Sequence, residues 1–134
     1  MDKISPADIP NEVFLAPEGF VEFRMIGEQS YQKIEKTAMA CRRFIDLLNY
    51  QHKPLLGLVD LSEDHSINPG TNKATLKALE EIPYQRAAMF GASPIMTEVT
   101  RALIAALGKG ANTKIFGTRE EAEAWLLMKD PLEG

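Results

Sequence analysis

Leu55-Leu56-Gly57-Leu58-Val59-Asp60-Leu61-Ser62 is the stretch on which the fold turns. Its first five residues are a continuous apolar run, the mark of a strand buried on both faces. Asp60 and Ser62 close the run, and residues 60–72 read as a polar loop. Upstream, Tyr31, Ile34, Ala38, Cys41, Ile45 and Leu48 recur at spacings of three and four, which puts them on one face of a helix spanning Glu28 to Tyr50. Pro54 ends that segment before the strand begins. Downstream, Ala74, Ala78 and Ile82 give a second helix over about 72–82, stopped by Pro83.

The same alternation of strand and helix continues to the C-terminus. Arg86-Ala87-Ala88-Met89-Phe90-Gly91 reads as a strand. Ser93-Pro94 then starts a helix: the serine hydroxyl can cap free N–H groups, and proline at the first position lacks only a donor that would be unpaired there. Ile95, Val99, Ala102 and Ala106 form its stripe, and Gly108 and Gly110 break it. Thr113 to Gly117 is a last strand. Thr118-Arg119-Glu120-Glu121 is a capping box opening a final helix that buries Ala122, Trp125 and Leu126.

Toward the N-terminus, Val13-Phe14-Leu15 and Phe20–Ile26 are joined by Ala16-Pro17-Glu18-Gly19, whose proline and glycine suit a tight turn. They predict an antiparallel hairpin, the second strand having one drier face. The order is ββαβαβαβα. It predicts an α/β fold, a small two-layer sandwich with a five-stranded mixed sheet and four main helices. The strands at 55–60, 86–91 and 113–117 are expected parallel and central, with Val13–Leu15 an antiparallel edge. Residues 1–11 read as a loose lead-in, 12–130 as one domain, and 131–134 as a tail.

Fifteen Lys and Arg against nineteen Asp and Glu leave a net charge of −4, the wrong sign for nucleic acid or an anionic membrane surface. A single cysteine, Cys41, rules out an internal disulfide and a four-thiolate zinc site. No run has the apolar length of a signal or spanning segment, so a cytoplasmic protein, not an integral membrane one, is expected. His52 and His65 are 13 residues apart, outside any two-histidine metal frame, and no metal is expected. The glycine-rich phosphate loops and the G-x-S-x-G elbow are absent, and no cofactor is expected. Cys41 lies on an apolar helical stripe, where burial makes a thiol unreactive.

The remaining polar residues with chemistry in them gather after the third strand. His65 lies in the loop following a buried strand, and Asp60 and Asp64 form a carboxylate pair near it. With Ser93 they would make a small hydrolase-type site, provided His65 stands within about 3.2 Å of Ser93 Oγ or a carboxylate. The other reading is a non-enzymatic binding or regulatory module. It would use the strand ends and the helix N-termini near Asn68–Thr71 and Ser93–Ile95, which suit a small anion or a phosphorylated partner.

The chain resembles the STAS domain superfamily, and within it the SpoIIAA-like STAS/CRAL-TRIO group of small bacterial proteins. The likeness is carried by the hairpin with Gly27, by Leu58-Val59-Asp60-Leu61-Ser62, by Arg86–Gly91, and above all by the ending Ile115-Phe116-Gly117-Thr118-Arg119-Glu120-Glu121-Ala122-Glu123-Ala124-Trp125-Leu126. Phosphorylated members of that family carry an Asp-Ser-Ser-Gly-type turn where a kinase partner modifies a serine. The stretch matching it is Ile67-Asn68-Pro69-Gly70: Asn68 stands for the aspartate, Pro69 for the serine, and Gly70 keeps the glycine. The acceptor is therefore missing, and Ser66 and Thr71 flank the gap. The resemblance implies a regulatory module; with the strand ends and helix starts, the candidate ligand or partner face comprises Asp60, Ser62, Asp64, His65, Ser66, Asn68, Gly70, Thr71 and Ser93. Its partner would be a regulatory protein or a small ligand, with an anion, a nucleotide and an apolar or lipid molecule all open; a homodimer is open as well.

Overall fold

The structure, a computed structural model, describes residues 9–65, 69–108, 110 and 112–128. Its sheet carries five strands in chain order: β1 (Glu12–Leu15), β2 (Val21–Gly27), β3 (Leu56–Asp64), β4 (Arg86–Phe90) and β5 (Thr113–Phe116). β1 runs antiparallel to β2; the other three pairs are parallel. The connecting helices are α1 (Tyr31–Tyr50), α2 (Pro69–Glu80) and α3 (Pro94–Ala106), and α4 (Arg119–Leu126) follows β5.

From β2 onward each crossover steps to the next strand in the same direction. Right-handed crossovers taken in one direction put every connecting helix on one face. Accordingly Ile34 and Cys41 of α1, Leu76 of α2 and Ile104 of α3 share a core with Phe23, Val59, Met89 and Ile115. No further strand follows α4, so that rule does not bind it. It covers the opposite face, setting Ala122 and Leu126 against Phe20, Leu58, Ala88 and Phe90. The apolar run at 55–59 follows from this: Leu58 feeds one core and Val59 the other.

The predicted hairpin is present. Gly19 takes a left-handed φ of 99°, and Ala16 and Gly19 close the turn through N–H bonds to Phe20 O and Ala16 O. Asn11, at the end of the expected lead-in, is firmly tied. Its side chain accepts from Ile26 N at 2.8 Å and donates to Gln29 Oε1 and Thr37 Oγ1.

β2 has the expected drier face in Val21, Phe23 and Met25, while Arg24 and Ile26 on its other face are half-buried. Three expectations are corrected. β5 is an edge strand, not a central one, because the sheet is built outward in one direction from β2. β3 does not stop at Asp60 but continues through Asp64. β2 is long enough to keep pairing, with Ile26 opposite Glu63 and Gly27 opposite Asp64, so polar side chains enter the strand without losing backbone bonds. The register shifts there: Leu61 and Ser62 both oppose Met25, a bulge that re-aims the end of β3. Finally, α2 starts at Pro69 rather than near Asn72, consistent with proline's fit to a first turn.

Candidate functional site

The bulged end of β3 and the end of β4 meet at one point. Gly91 follows β4 with φ 88°, and a Cβ built on it would stand 2.8 Å from Ser62 N. Only glycine allows this approach, which brings the 61–65 segment beside Ala92 and Ser93. Around the junction opens a cleft of about 680 Å³ lined by Leu61, Ser62, Asp64, His65, Gly91, Ala92, Ser93, Ile95, Met96 and Thr100.

Four of the residues singled out by sequence are thus brought together: Ser62, Asp64, His65 and Ser93. Asp60 is not among the lining residues, but its Oδ1 accepts from Ser62 N at 2.9 Å and Ser62 Oγ at 2.6 Å, shaping the bulge. Gly70 and Thr71 stand in the first turn of α2. Ser66 and Asn68 lie outside the described residues. His52 belongs elsewhere. It ends α1 in the left-handed conformation, φ 56°, with Lys53 N bonded back to Leu48 O.

Ser93 is a helix cap. Its Oγ accepts from Met96 N at 3.2 Å, and its carbonyl accepts from Thr97 N at 2.8 Å. With Pro94 lacking an N–H, the start of α3 has Ile95 N as its remaining donor, a thin cradle for an anion. The His65 backbone N–H bonds to Gly27 O at 3.0 Å, and among the described residues its ring makes no hydrogen bond to Ser93 or to a carboxylate. No group of three or more His, Cys, Asp or Glu suited to a metal occurs among the described residues. Cys41 is fully buried, and burial pushes its thiol up to about 11. A separate apolar gap between α1, α2 and the sheet, bordered by Phe23, Ile34, Val59 and Ile82, measures about 20 Å³, room for about one water.

Leu61, Gly91, Ala92, Met96 and Thr100 escape the sequence reading as site residues, whereas Ile95 lies in the helix start that it named. Gly91 had a legible signal, a glycine between an apolar strand and a Ser-Pro helix start. Thr100 had none, since it reads only as a polar break in an apolar helix.

The family model for SpoIIAA-like proteins matches residues 20–127. The chain belongs to the SpoIIAA-like family. Solved structures similar to this SpoIIAA-like chain include an uncharacterised protein with a SpoIIAA-like fold from Shewanella loihica. It is 16% identical with a TM-score of 0.56, over 87% of this chain and 91% of that one. The anti-sigma factor antagonist SpoIIAA in its unphosphorylated form is 17% identical, with a TM-score of 0.53 over 86% and 94%. The Bacillus cell fate determinant SpoIIAA in its phosphorylated form is 18% identical, with a TM-score of 0.50 over 86% and 97%. At these identities the likeness is one of fold. No curated protein matches the chain. No helix among the described residues is long and apolar enough to cross a membrane.

Proposed function

We propose that this SpoIIAA-like protein is a non-enzymatic regulatory module that docks a partner protein on the face bearing Ser62, Asp64, His65 and Ser93. The observation that carries the reading is the convergence of the β3 bulge and the start of α3 on one exposed cleft, with Ile95 76% exposed at its rim. An exposed aliphatic side chain beside polar groups suits a protein contact. The neighbourhood of an anti-sigma factor antagonist in fold supports the same class. No observation favours the hydrolase reading: among the described residues the His65 ring makes no hydrogen bond to Ser93 or to a carboxylate.

The module would work without phosphorylation at the family's usual position, because Pro69 opens α2 there and has no hydroxyl. Incubation with a STAS-type kinase should leave the intact mass unchanged. Stoichiometric phosphate on Ser66 or Thr71 would show that the switch had moved. Docking is tested by affinity capture from the native lysate with wild type, Ser62→Arg, Ile95→Glu and, on the opposite face, Lys114→Glu. The expected result is a partner held by wild type and Lys114→Glu and lost by the other two. Equal capture by all four overturns the proposed face.

A further inference from the structure

Thr100 is 3% exposed, lines the cleft from α3, and makes no side-chain hydrogen bond among the described residues. Other threonines differ. Thr37 donates to Lys33 O at 2.7 Å, Thr97 to Ala92 O at 3.3 Å, and Thr113 pairs with Tyr84 at 2.9 Å. No described side-chain polar atom is sealed from solvent without a partner, so the Thr100 hydroxyl reaches the cleft. It is a deep donor and acceptor whose match must come from outside the protein.

The walls around it select the ligand's chemistry. Leu61, Ala92, Ile95 and Met96 are apolar, and the volume of about 680 Å³ lies within the range of about 300–1,000 Å³ usual for small-molecule sites. Among the described residues the lining holds no lysine or arginine, holds the Asp64 carboxylate, and meets α3 where Ile95 N is the one N–H left over from the cap. An anion therefore meets no fixed positive charge among those residues. A cation at the depth of Thr100 would lose its hydration to a single hydroxyl. A neutral polar group on an aliphatic body satisfies both constraints. We propose that the cleft is a binding site for a small uncharged molecule of the alkyl amide class, its amide hydrogen-bonded to Thr100 and its chain against Leu61 and Met96. The proposal does not rest on the partner reading, since it concerns the isolated chain.

The test is methyl NMR titration of the isolated protein with pentanamide, pentylammonium and pentanoate, three probes of one chain length and different charge. The expected result is saturable shifts at Thr100, Leu61 and Met96 with pentanamide and binding of both ions weaker by about tenfold or more. Thr100→Val should keep the wild-type denaturation midpoint, having lost no internal bond, and bind pentanamide about 3- to 10-fold more weakly. Thr100→Ser should restore binding; this keeps the test decisive if the valine variant folds poorly. Absence of saturable shifts, equal binding of the three probes, or undiminished binding by Thr100→Val would each overturn the proposal. None of these outcomes bears on partner capture.

Discussion

Arg119, the first residue of α4, aims both terminal guanidinium nitrogens at Glu22, a carboxylate 1% exposed in β2. The two are 97 residues apart in the chain. Arg24 Nε adds a bond to Glu22 Oε2 at 3.1 Å, and the Arg119 guanidinium also lies over the Phe90 ring, 5.5 Å from its centre. The hydrogen bond with Glu22 is the largest influence holding Arg119 above its ordinary pKa. It fastens α4 to the sheet face that the crossover rule leaves uncovered.

Removing one partner should therefore be costly. Arg119→Ala leaves Glu22 buried with Arg24 alone, and a loss of roughly 3 kcal/mol is expected in urea denaturation. Arg119→Lys should recover only part of it, because an ammonium cannot make the two-pronged contact. Replacing both residues by leucine should lie closer to wild type than Arg119→Ala does. A single variant indistinguishable from wild type would show that α4 is held by its apolar face alone.

Gly91 and Gly19 both have positive φ but differ in surroundings. Nothing lies within 4 Å of a Cβ on Gly19, whereas one on Gly91 meets Ser62 N at 2.8 Å. Gly19→Ala should cost about 1–2 kcal/mol from backbone strain alone. Gly91→Ala adds steric overlap and should cost about 3 kcal/mol or more, with chemical-shift changes concentrated at residues 61–65. Equal costs would mean that the junction yields easily.

Cys41 predicts a pH dependence. Its thiol is at about 11 in the folded chain against 9.0 in the reference state, so between those values the folded protein holds a proton that the unfolded chain has released. Stability is unaffected by this group below about pH 9 and falls as pH rises toward 11, by on the order of 2–3 kcal/mol. The drop should be smaller in Cys41→Ala, measured by denaturation at pH 8 and pH 10.5. Parallel losses in both proteins would assign the alkaline limb to other groups.

The last helix carries two separable contributions. Thr118 Oγ1 accepts from Glu121 N at 3.2 Å, so Thr118→Ala should cost about 1 kcal/mol. The capping box is not reciprocal: Glu121 Oε1 accepts the Thr118 hydroxyl at 3.0 Å rather than its backbone N–H. Trp125 is half-buried, not a full core residue as its helical position predicts. It packs on Phe116 with ring centres 5.8 Å apart and has Lys114 5.4 Å above its ring. Trp125→Ala should then cost about 2 kcal/mol, less than the roughly 3–5 kcal/mol of a fully buried tryptophan. A loss at the upper end of that range, in guanidinium titration followed by circular dichroism, would return Trp125 to the core.

Much of the chain was legible residue by residue. Ser93-Pro94 and Thr118 start helices where expected, and the stripe through Ile34, Cys41 and Leu48 is the buried face of α1. Ser62, Asp64, His65 and Ser93 were legible as a cluster because all lie at or just beyond strand ends on one side of a parallel sheet. Glu22 was not. In sequence it is the polar member of an alternating strand, and the arginine that makes its burial tolerable lies at the far end of the chain.

The order and type of the elements and the caps of α3 and α4 could be read from residue patterns. These depend on side-chain periodicity and on bonds spanning three or four residues, which act locally. Long-range packing settled that α1, α2 and α3 share one face, that β5 is an edge, that β3 runs on to Asp64, that Glu22 is buried, that Trp125 is half-covered, and that Thr100 opens into a cleft. Each of these depends on which distant residue arrives opposite. Strand ends extend while a neighbour offers N–H and C=O groups, and a polar side chain is buried where a partner reaches it.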